Sequence, residues 1–219
     1  MPKSRRRKLA TETDAIVQSS TSASPDAIDL EHLRSVLYPV PTRTAFVQEE
    51  DIDDIELTPA SVLFPIVLRE GGASVLLTQR TEHLKDHPGQ ISFPGGRYEP
   101  DDTSPAHTAL REAEEEIGLS SAHVEIVGYL PEYLTITGYR VTPVVAIVTP
   151  PFDLQPDPYE VAQIFEVPFS FLMNAANHQR HSLPYRGKIR HYVAMPYQGY
   201  FIWGATAGII LTLSKALSA

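Results

Sequence analysis

Residues Phe93 to Leu119 read FPGGRYEPDDTSPAHTALREAEEEIGL, and this stretch decides the fold. Its second half predicts an amphipathic helix, because apolar residues recur at steps of three and four along one face: Ala106, Ala109, Leu110, Ala113 and Ile117. Glu112, Glu115 and Glu116 fall on a neighbouring face within about one turn. Gly118 is placed to end the helix.

The three glutamates form a cluster of oxygen donors. Like charges this close repel by a few tenths of a kcal/mol per pair on an isolated helix, and Mg²⁺ or Mn²⁺ bound among them would remove that repulsion. A solvated acidic helix face is the alternative, and it is the commoner origin of such a run. Two neighbours favour the metal: a predicted turn at Gly95-Gly96, where backbone can approach a ligand closely, and Arg111, which can pair with the Glu112 carboxylate.

The segment from Arg111 to Leu119 resembles the second half of the Nudix box. That motif is Gly, five residues, Glu, seven residues, then Arg-Glu-x-x-Glu-Glu-x-Gly and an aliphatic residue. This chain departs from it in the first half, where Asp102 replaces the glutamate and eight residues separate it from Arg111. The extra residue precedes the helix and leaves the carboxylate face intact, so only the part played by Asp102 is open.

A longer block narrows the resemblance. Residues 76–96, LLTQRTEHLKDHPGQISFPGG, resemble the signature of the Nudix hydrolases that cleave coenzyme A, including the same one-residue extension of the box. Lys85 stands where that group usually has arginine, which keeps the charge but loses the planar fork. The resemblance continues through residues 137–145 and 200–210 and covers most of the chain from about residue 30.

The resemblance implies an α/β protein with the Nudix fold, a mixed β-sheet between α-helices with a loop-helix-loop catalytic motif. It implies a metal-dependent diphosphatase that splits coenzyme A, with acyl or oxidised derivatives as further substrates, into 3′,5′-ADP and 4′-phosphopantetheine. The expected cofactor is Mg²⁺ or Mn²⁺ and the expected metal ligands are Glu112, Glu116 and Glu115. The expected catalytic residues are Glu115, Glu112, Glu160 and Arg111, and the expected substrate-binding residues are Arg80, Gln90, Gly95 and Gly96.

Roles within this set stay open in part. Arg111 is expected to orient Glu112, and the general base is either Glu160 or a glutamate of the box. Two other functions are weighed against coenzyme A hydrolysis. One is hydrolysis of another nucleoside diphosphate derivative such as ADP-ribose, and the other is a module that binds coenzyme A or a nucleotide without catalysis.

Composition bounds the remaining possibilities. The chain has 219 residues, a net charge of −9 and no cysteine, which argues against bulk nucleic-acid binding and excludes disulfides and thiol chemistry. Its most apolar run, residues 200–213, is too short to span a bilayer comfortably, and no signal peptide is visible. We therefore expect a cytoplasmic protein with a small-molecule substrate and no nucleic-acid or membrane partner, and a homodimer stays open.

Elements outside the box can also be placed. Residues 1–27 are expected to be a disordered tail and residues 28–219 a single Nudix domain. Helices are expected over residues 29–37, 168–176 and 205–217, and hairpins over residues 61–78 and around residues 186–187. Pro65 is expected to mark an edge or a bulge in the first of these hairpins.

Overall fold

The computed structural model describes residues 28–42, 46–48, 56–185 and 187–219. The expected tail at residues 1–27 lies outside the described residues. Helices in the described part are α1 Leu30–Val36, α2 Pro105–Ile117, α3 Phe169–Met173 and α4 Gly204–Leu217. Strands are β1 Phe46–Gln48, β2 Thr58–Arg69, β3 Gly72–Arg80, β4 Ile91–Ser92, β5 Gly95–Arg97, β6 Val124–Tyr129, β7 Glu132–Leu134, β8 Tyr139–Val148, β9 Val161–Pro168, β10 Gln179–Tyr185, β11 Lys188–Tyr197 and β12 Tyr200–Trp203.

A mixed sheet forms the centre of the fold. Its main path through the described residues runs β1-β7-β8-β2-β3-β4, with β5 paired to β2, β6 to β8 and β9 to β3. Strands β2 and β8 are parallel over residues 58–67 and 139–148, whereas β2 and β3 form the predicted hairpin. Strands β10, β11 and β12 form a separate antiparallel sheet, which confirms the predicted hairpin around residues 186–187.

Two hydrophobic clusters cover the two faces of the central sheet. One contains the apolar residues of α2, packed on alternate residues of β2, β3 and β8. The other contains those of α4 with residues of α1, α3 and β11, packed on the intervening residues of the same strands. This division follows from the two-residue period of a strand, which sends neighbouring side chains to opposite faces. The arrangement confirms the expected mixed sheet between helices.

Helix α2 ends at Gly118, as its sequence predicts, and a side chain caps its first turn. The Ser104 hydroxyl accepts a hydrogen bond from the His107 N–H (3.1 Å), and Pro105 occupies the first turn, where no N–H is needed. Gly118 adopts a left-handed conformation (φ 68°) at the other end. Its N–H donates to the Glu114 carbonyl (2.9 Å), and the Leu119 N–H donates to the Ala113 carbonyl (3.2 Å). These contacts set the length and direction of the helix that carries the glutamates.

Two local predictions are wrong. Pro65 lies inside β2, opposite Ala146 of β8, rather than at an edge. On its other flank β2 pairs with β5 at residues 60–62 and with β3 at residues 66–69, so Pro65 falls between two partners where a missing N–H breaks no ladder bond. Gly95 and Gly96 form strand β5, not a turn; a Cβ at Gly95 would lie 2.4 Å from the Ser61 carbonyl oxygen of β2.

The helix expected over residues 168–176 is shorter in the structure. Helix α3 ends at Met173, and residues 175–177 form a 3-10 turn. The Asn174 side chain between them accepts a hydrogen bond from the Ala176 N–H (3.0 Å), a local contact that starts the turn. Helices α1 and α4 lie within one residue of the predicted limits at each end. Among the described residues, no helix combines the length and apolarity needed to cross a bilayer.

Candidate active site

Glu116 of α2 lies against the backbone of β5. Its side chain is buried, and its Oε2 accepts a hydrogen bond from the Gly95 N–H (3.1 Å). Burial raises the pKa of Glu116 to about 8, because desolvation disfavours the carboxylate more than the Gly95 N–H stabilises it, and the charges of Glu112 and Glu160 add to the rise. Glu116 is therefore a buried acid with too little positive charge around it, an environment in which a cation would be stabilising.

The Glu112 carboxylate, one turn earlier in α2, occupies space that is open because Gly96 has no side chain. A Cβ at Gly96 would lie 2.3 Å from the Glu112 Oε1, so any larger residue there would displace this carboxylate. Burial raises the pKa of Glu112, and the nearby Arg111 guanidinium offsets part of that rise. The glycines of β5 thus face both inner glutamates of the helix, as the sequence predicts, although they do so from a strand.

Arg111 is held by a residue whose role the sequence left open. Asp102 is buried, and it accepts hydrogen bonds from Arg111 Nε (3.1 Å) and Nη2 (3.0 Å), from the Thr108 hydroxyl (3.0 Å) and from the Glu99 N–H (2.9 Å). The bonds from Arg111 hold the pKa of the Asp102 carboxyl well below its usual range. The extended loop between Gly96 and α2 therefore supplies a buried anchor for the arginine.

From that anchor Arg111 reaches two glutamates. Its Nη1 lies 3.1 Å from Glu112 Oε1 and 2.9 Å from Glu115 Oε2, and its Nη2 donates to the Arg97 carbonyl (3.1 Å). The predicted contact between Arg111 and Glu112 is present. Glu115 differs from the other two glutamates because 60% of its side chain is exposed. It lies at the solvent side of the cluster and has the freedom to move towards a ligand.

Glu160 lies in the same neighbourhood although it follows the helix by more than forty residues in the chain. Its negative charge contributes to the raised pKa values of both Glu112 and Glu116. The backbone around it is fixed by three contacts: its carbonyl accepts from the Thr81 N–H (3.0 Å), its N–H donates to the Asp157 carbonyl (3.1 Å), and the Asp157 N–H donates to the Glu116 carbonyl (2.8 Å). The loop between β8 and β9 is thus tied to both the end of β3 and α2.

Arg80 ends β3 beside these acids. Its N–H donates to the Gln90 carbonyl (2.9 Å), and its positive charge opposes the rise in the pKa of Glu116. Its Nε is buried, and within the described parts of the chain this atom has no hydrogen-bond partner. A buried guanidinium N–H without an acceptor is uncommon, and it is a donor that an anionic ligand can use.

The glutamates have the donor atoms that a divalent cation prefers, but their side chains are not arranged to bind one. Carboxylate oxygens are the ligands that Mg²⁺ and Mn²⁺ prefer, and the buried Glu116 lacks compensating charge. Among residues 28–42, 46–48, 56–185 and 187–219, however, no three acidic or histidine side chains converge tightly enough to hold an ion. Arg111 pairs with Glu115 at the solvent side of the cluster, so three-fold ligation by these glutamates requires at least the Glu115 side chain to rotate.

Comparison with known proteins gives a family for this arrangement. The NUDIX domain profile matches residues 57–186. "Uncharacterized Nudix hydrolase NudL" of Enterobacter sp. (strain 638) is 41% identical over 162 residues, which cover 74% of this chain and 84% of that protein. The protein of the same name from Escherichia coli (strain K12) is 41% identical over 155 residues, which cover 71% of this chain and 80% of its own.

A solved structure has a related shape over part of the chain. The Nudix hydrolase RenU from M. Smegmatis has a TM-score of 0.46 and 25% identity, over 57% of this chain and 79% of its own. The profile match spans more than half of the chain and includes the strands and the helix that carry the glutamates. The chain therefore belongs to the Nudix family and is a Nudix hydrolase.

Proposed function

We propose that this enzyme hydrolyses the diphosphate bond of coenzyme A, with Mg²⁺ or Mn²⁺ as its cofactor, to give 3′,5′-ADP and 4′-phosphopantetheine. The observation that carries the proposal is the pair of the half-buried Glu112 and the buried Glu116, which faces the backbone of β5 with the unpaired Nε of Arg80 nearby. The choice of coenzyme A rests on the resemblance of residues 76–96 to the signature of that group.

The charges around the site support a diphosphate as substrate. A diphosphate is polyanionic, and the cluster of glutamates would repel it unless cations lie between them. Glu112, Glu116 and Glu115 would hold the metal ions, which would neutralise charge on the phosphoryl oxygens and lower the pKa of a bound water. The buried Nε of Arg80 is a ready donor to a phosphoryl oxygen on the opposite side.

The remaining residues orient a metal ligand and accept a proton from the attacking water. Arg111, fixed by Asp102, orients Glu112 and keeps its carboxylate beside Gly96. Glu160, whose backbone is tied to Thr81 and Asp157, is our candidate for the base that accepts a proton from the attacking water, with a box glutamate as the alternative. The water oxygen becomes bonded to one phosphorus, the bridging P–O bond breaks, and the other phosphate leaves with the bridging oxygen.

The test is product analysis by mass spectrometry. Coenzyme A is incubated with the protein and Mn²⁺ or Mg²⁺, beside a Glu116→Gln variant and a Glu114→Gln control, which removes an exposed carboxylate from the same helix. We expect 4′-phosphopantetheine from the wild type and the control, and a rate reduced by more than about 100-fold in Glu116→Gln.

Other outcomes select between the alternatives. Intact coenzyme A together with rapid cleavage of ADP-ribose or a dinucleotide would replace the substrate but keep the reaction. Saturable binding of coenzyme A without turnover of any diphosphate in a panel would favour a binding module.

A further inference from the structure

A cavity of about 350 Å³ lies where the small sheet meets the loop between β3 and β4. We refer to it as the aromatic cavity, and its lining residues are Gln79, Pro88, Gly89, Gln90, Ile91, Gly199, Tyr200, Phe201 and Trp203. The Thr206 hydroxyl of α4 donates to the Ile91 carbonyl (2.9 Å), which joins the two walls. The volume is in the range of small-molecule sites.

The lining suits a neutral, flat group. It contains no charged side chain. Phe201 and Trp203 are two residues apart in β12 and therefore share a face of the small sheet, and 43% of Phe201 is exposed despite its apolar ring. Each ring has an edge contact on the same sheet, Phe201 with His181 (5.8 Å) and Trp203 with Tyr192 (5.5 Å). These contacts fix the two rings, which form one wall of the aromatic cavity.

The other wall offers carboxamides. The Gln90 side chain has no hydrogen-bond partner among the residues that the structure describes, and the Gln79 Nε2 reaches only the Gly89 carbonyl, at 3.5 Å. Together with aromatic rings, such amide groups provide hydrogen bonds in the plane of a flat ligand and stacking on its face. A glutamine amide pairs with adenine through N6 and N7, and bases stack on aromatic side chains.

The aromatic cavity is connected to the catalytic residues. Ile91 precedes Gly95 by four residues, so the wall and the glycine that contacts Glu116 are at most about 14 Å apart. Gln79 precedes Arg80, and although neighbouring side chains of a strand point to opposite faces, β3 ends at Arg80. The aromatic cavity therefore adjoins the strand end that carries Arg80.

We propose that the aromatic cavity binds the adenine base of the substrate while its diphosphate lies at the glutamates of α2. The inference rests on the proposed function, because it takes the reacting diphosphate as its fixed point. Phe201 and Trp203 stack on the base, and the Gln90 amide forms hydrogen bonds with the edge of the base. The cavity thereby selects adenine nucleotides over diphosphates that lack a base.

Trp203 provides a direct signal because it is the single tryptophan of the chain. Its fluorescence is titrated with adenosine 5′-monophosphate, inosine 5′-monophosphate and ribose 5-phosphate, without metal and without turnover. We expect a saturable change with the adenine nucleotide, a weaker one with the hypoxanthine nucleotide, which lacks the N6 donor, and none with the sugar phosphate. An equal response to all three, or no response to any, would overturn the proposal.

Two variants test the walls separately. Phe201→Ala is expected to weaken adenosine 5′-monophosphate at least about 5-fold, the lower end of the loss of one stacking side chain. Gln90→Ala is expected to abolish the preference for adenine over hypoxanthine even if Phe201→Ala folds poorly. Tyr38→Ala, which removes another exposed aromatic outside the cavity, is the matched control and should bind as the wild type does. Wild-type affinity in Phe201→Ala together with an unchanged preference in Gln90→Ala would refute the assignment.

The two proposals fail in different ways. A Trp203 response to adenosine 5′-monophosphate without hydrolysis of coenzyme A would support adenine binding in the cavity and refute the proposed reaction. Hydrolysis of coenzyme A without any Trp203 response would keep the reaction and remove the adenine from this cavity.

Discussion

The Asp102→Asn variant tests whether the buried pair of Asp102 and Arg111 holds the site together. The substitution keeps the shape of the side chain but removes its charge, and Asn cannot accept from both Arg111 Nε and Nη2 through two anionic oxygens. Breaking a buried pair by removing one partner typically costs 3–5 kcal/mol. Arg111 keeps Glu112 and Glu115 as partners and is 19% exposed in its side chain, so we expect the lower end, about 3 kcal/mol.

The measurement is urea unfolding at pH 7, with thermal unfolding beside it. A loss of about 3 kcal/mol lowers Tm by roughly 6–12 °C in a chain of this size. Because the pKa of Asp102 is depressed in the folded state, the pair's contribution is complete above the unfolded pKa of about 4 and is lost as pH falls towards the folded value. The difference between wild type and variant should therefore shrink as the pH falls below about 4.

The neighbouring residue supplies a matched control. Asp101 is exposed, and Asp101→Asn is expected to change the free energy of unfolding by less than about 0.5 kcal/mol. Turnover should also fall in Asp102→Asn, by about 10- to 100-fold, since a loosened Arg111 no longer orients Glu112. A loss of stability below about 1 kcal/mol at pH 7, or one equal to that of Asp101→Asn, would show that the pair does not anchor the loop.

Two further predictions concern the glutamates. Gly96→Ala should lower turnover by at least about 10-fold, because its Cβ would lie 2.3 Å from the Glu112 carboxylate. Gly71→Ala is the control, since a Cβ there would meet open space, and it should leave turnover unchanged. Equal rates in the two variants would contradict the contact between Gly96 and Glu112. In EDTA the wild type should lose stability as pH rises from about 4.5 to about 8, since the pKa of Glu116 is raised and its native state favours the protonated form. Glu116→Gln should lack this loss in urea unfolding across that range, and an identical pH profile in both proteins would count against a buried, uncompensated carboxyl.

Much of the fold follows from patterns within short segments. Helix α2 and its end at Gly118 are set by residues within one or two turns of each other, and the sequence predicts both. The β2-β3 hairpin and the β10-β11 hairpin are recognised in the same way. The prediction for Pro65 failed for a tertiary reason: this residue lies inside a sheet because β2 changes partner there.

In the candidate site, too, some features can be predicted from the sequence and others depend on the tertiary structure. The spacing of Glu112, Glu115 and Glu116 indicates a cluster of carboxylates, but it does not tell which of them is buried. Only the close approach of β5 makes Glu116 a desolvated acid and leaves Glu115 largely exposed. Asp102 was recognised as a departure from the general motif, yet its pairing with Arg111 could not be predicted, because it depends on how the loop after Gly96 folds back on α2.

By itself, then, the sequence determined the helix, its acidic face, the glycines opposite it and the family to which they belong, because each of these depends on residues close together in the chain. The tertiary structure alone decided how Arg80 and Glu160, which the resemblance implies as site residues, approach that face, and that Phe201 and Trp203 form a wall beside Gln90. Those contacts join residues up to 113 positions apart (Gln90 to Trp203), and they exist only once strand register has placed distant segments side by side.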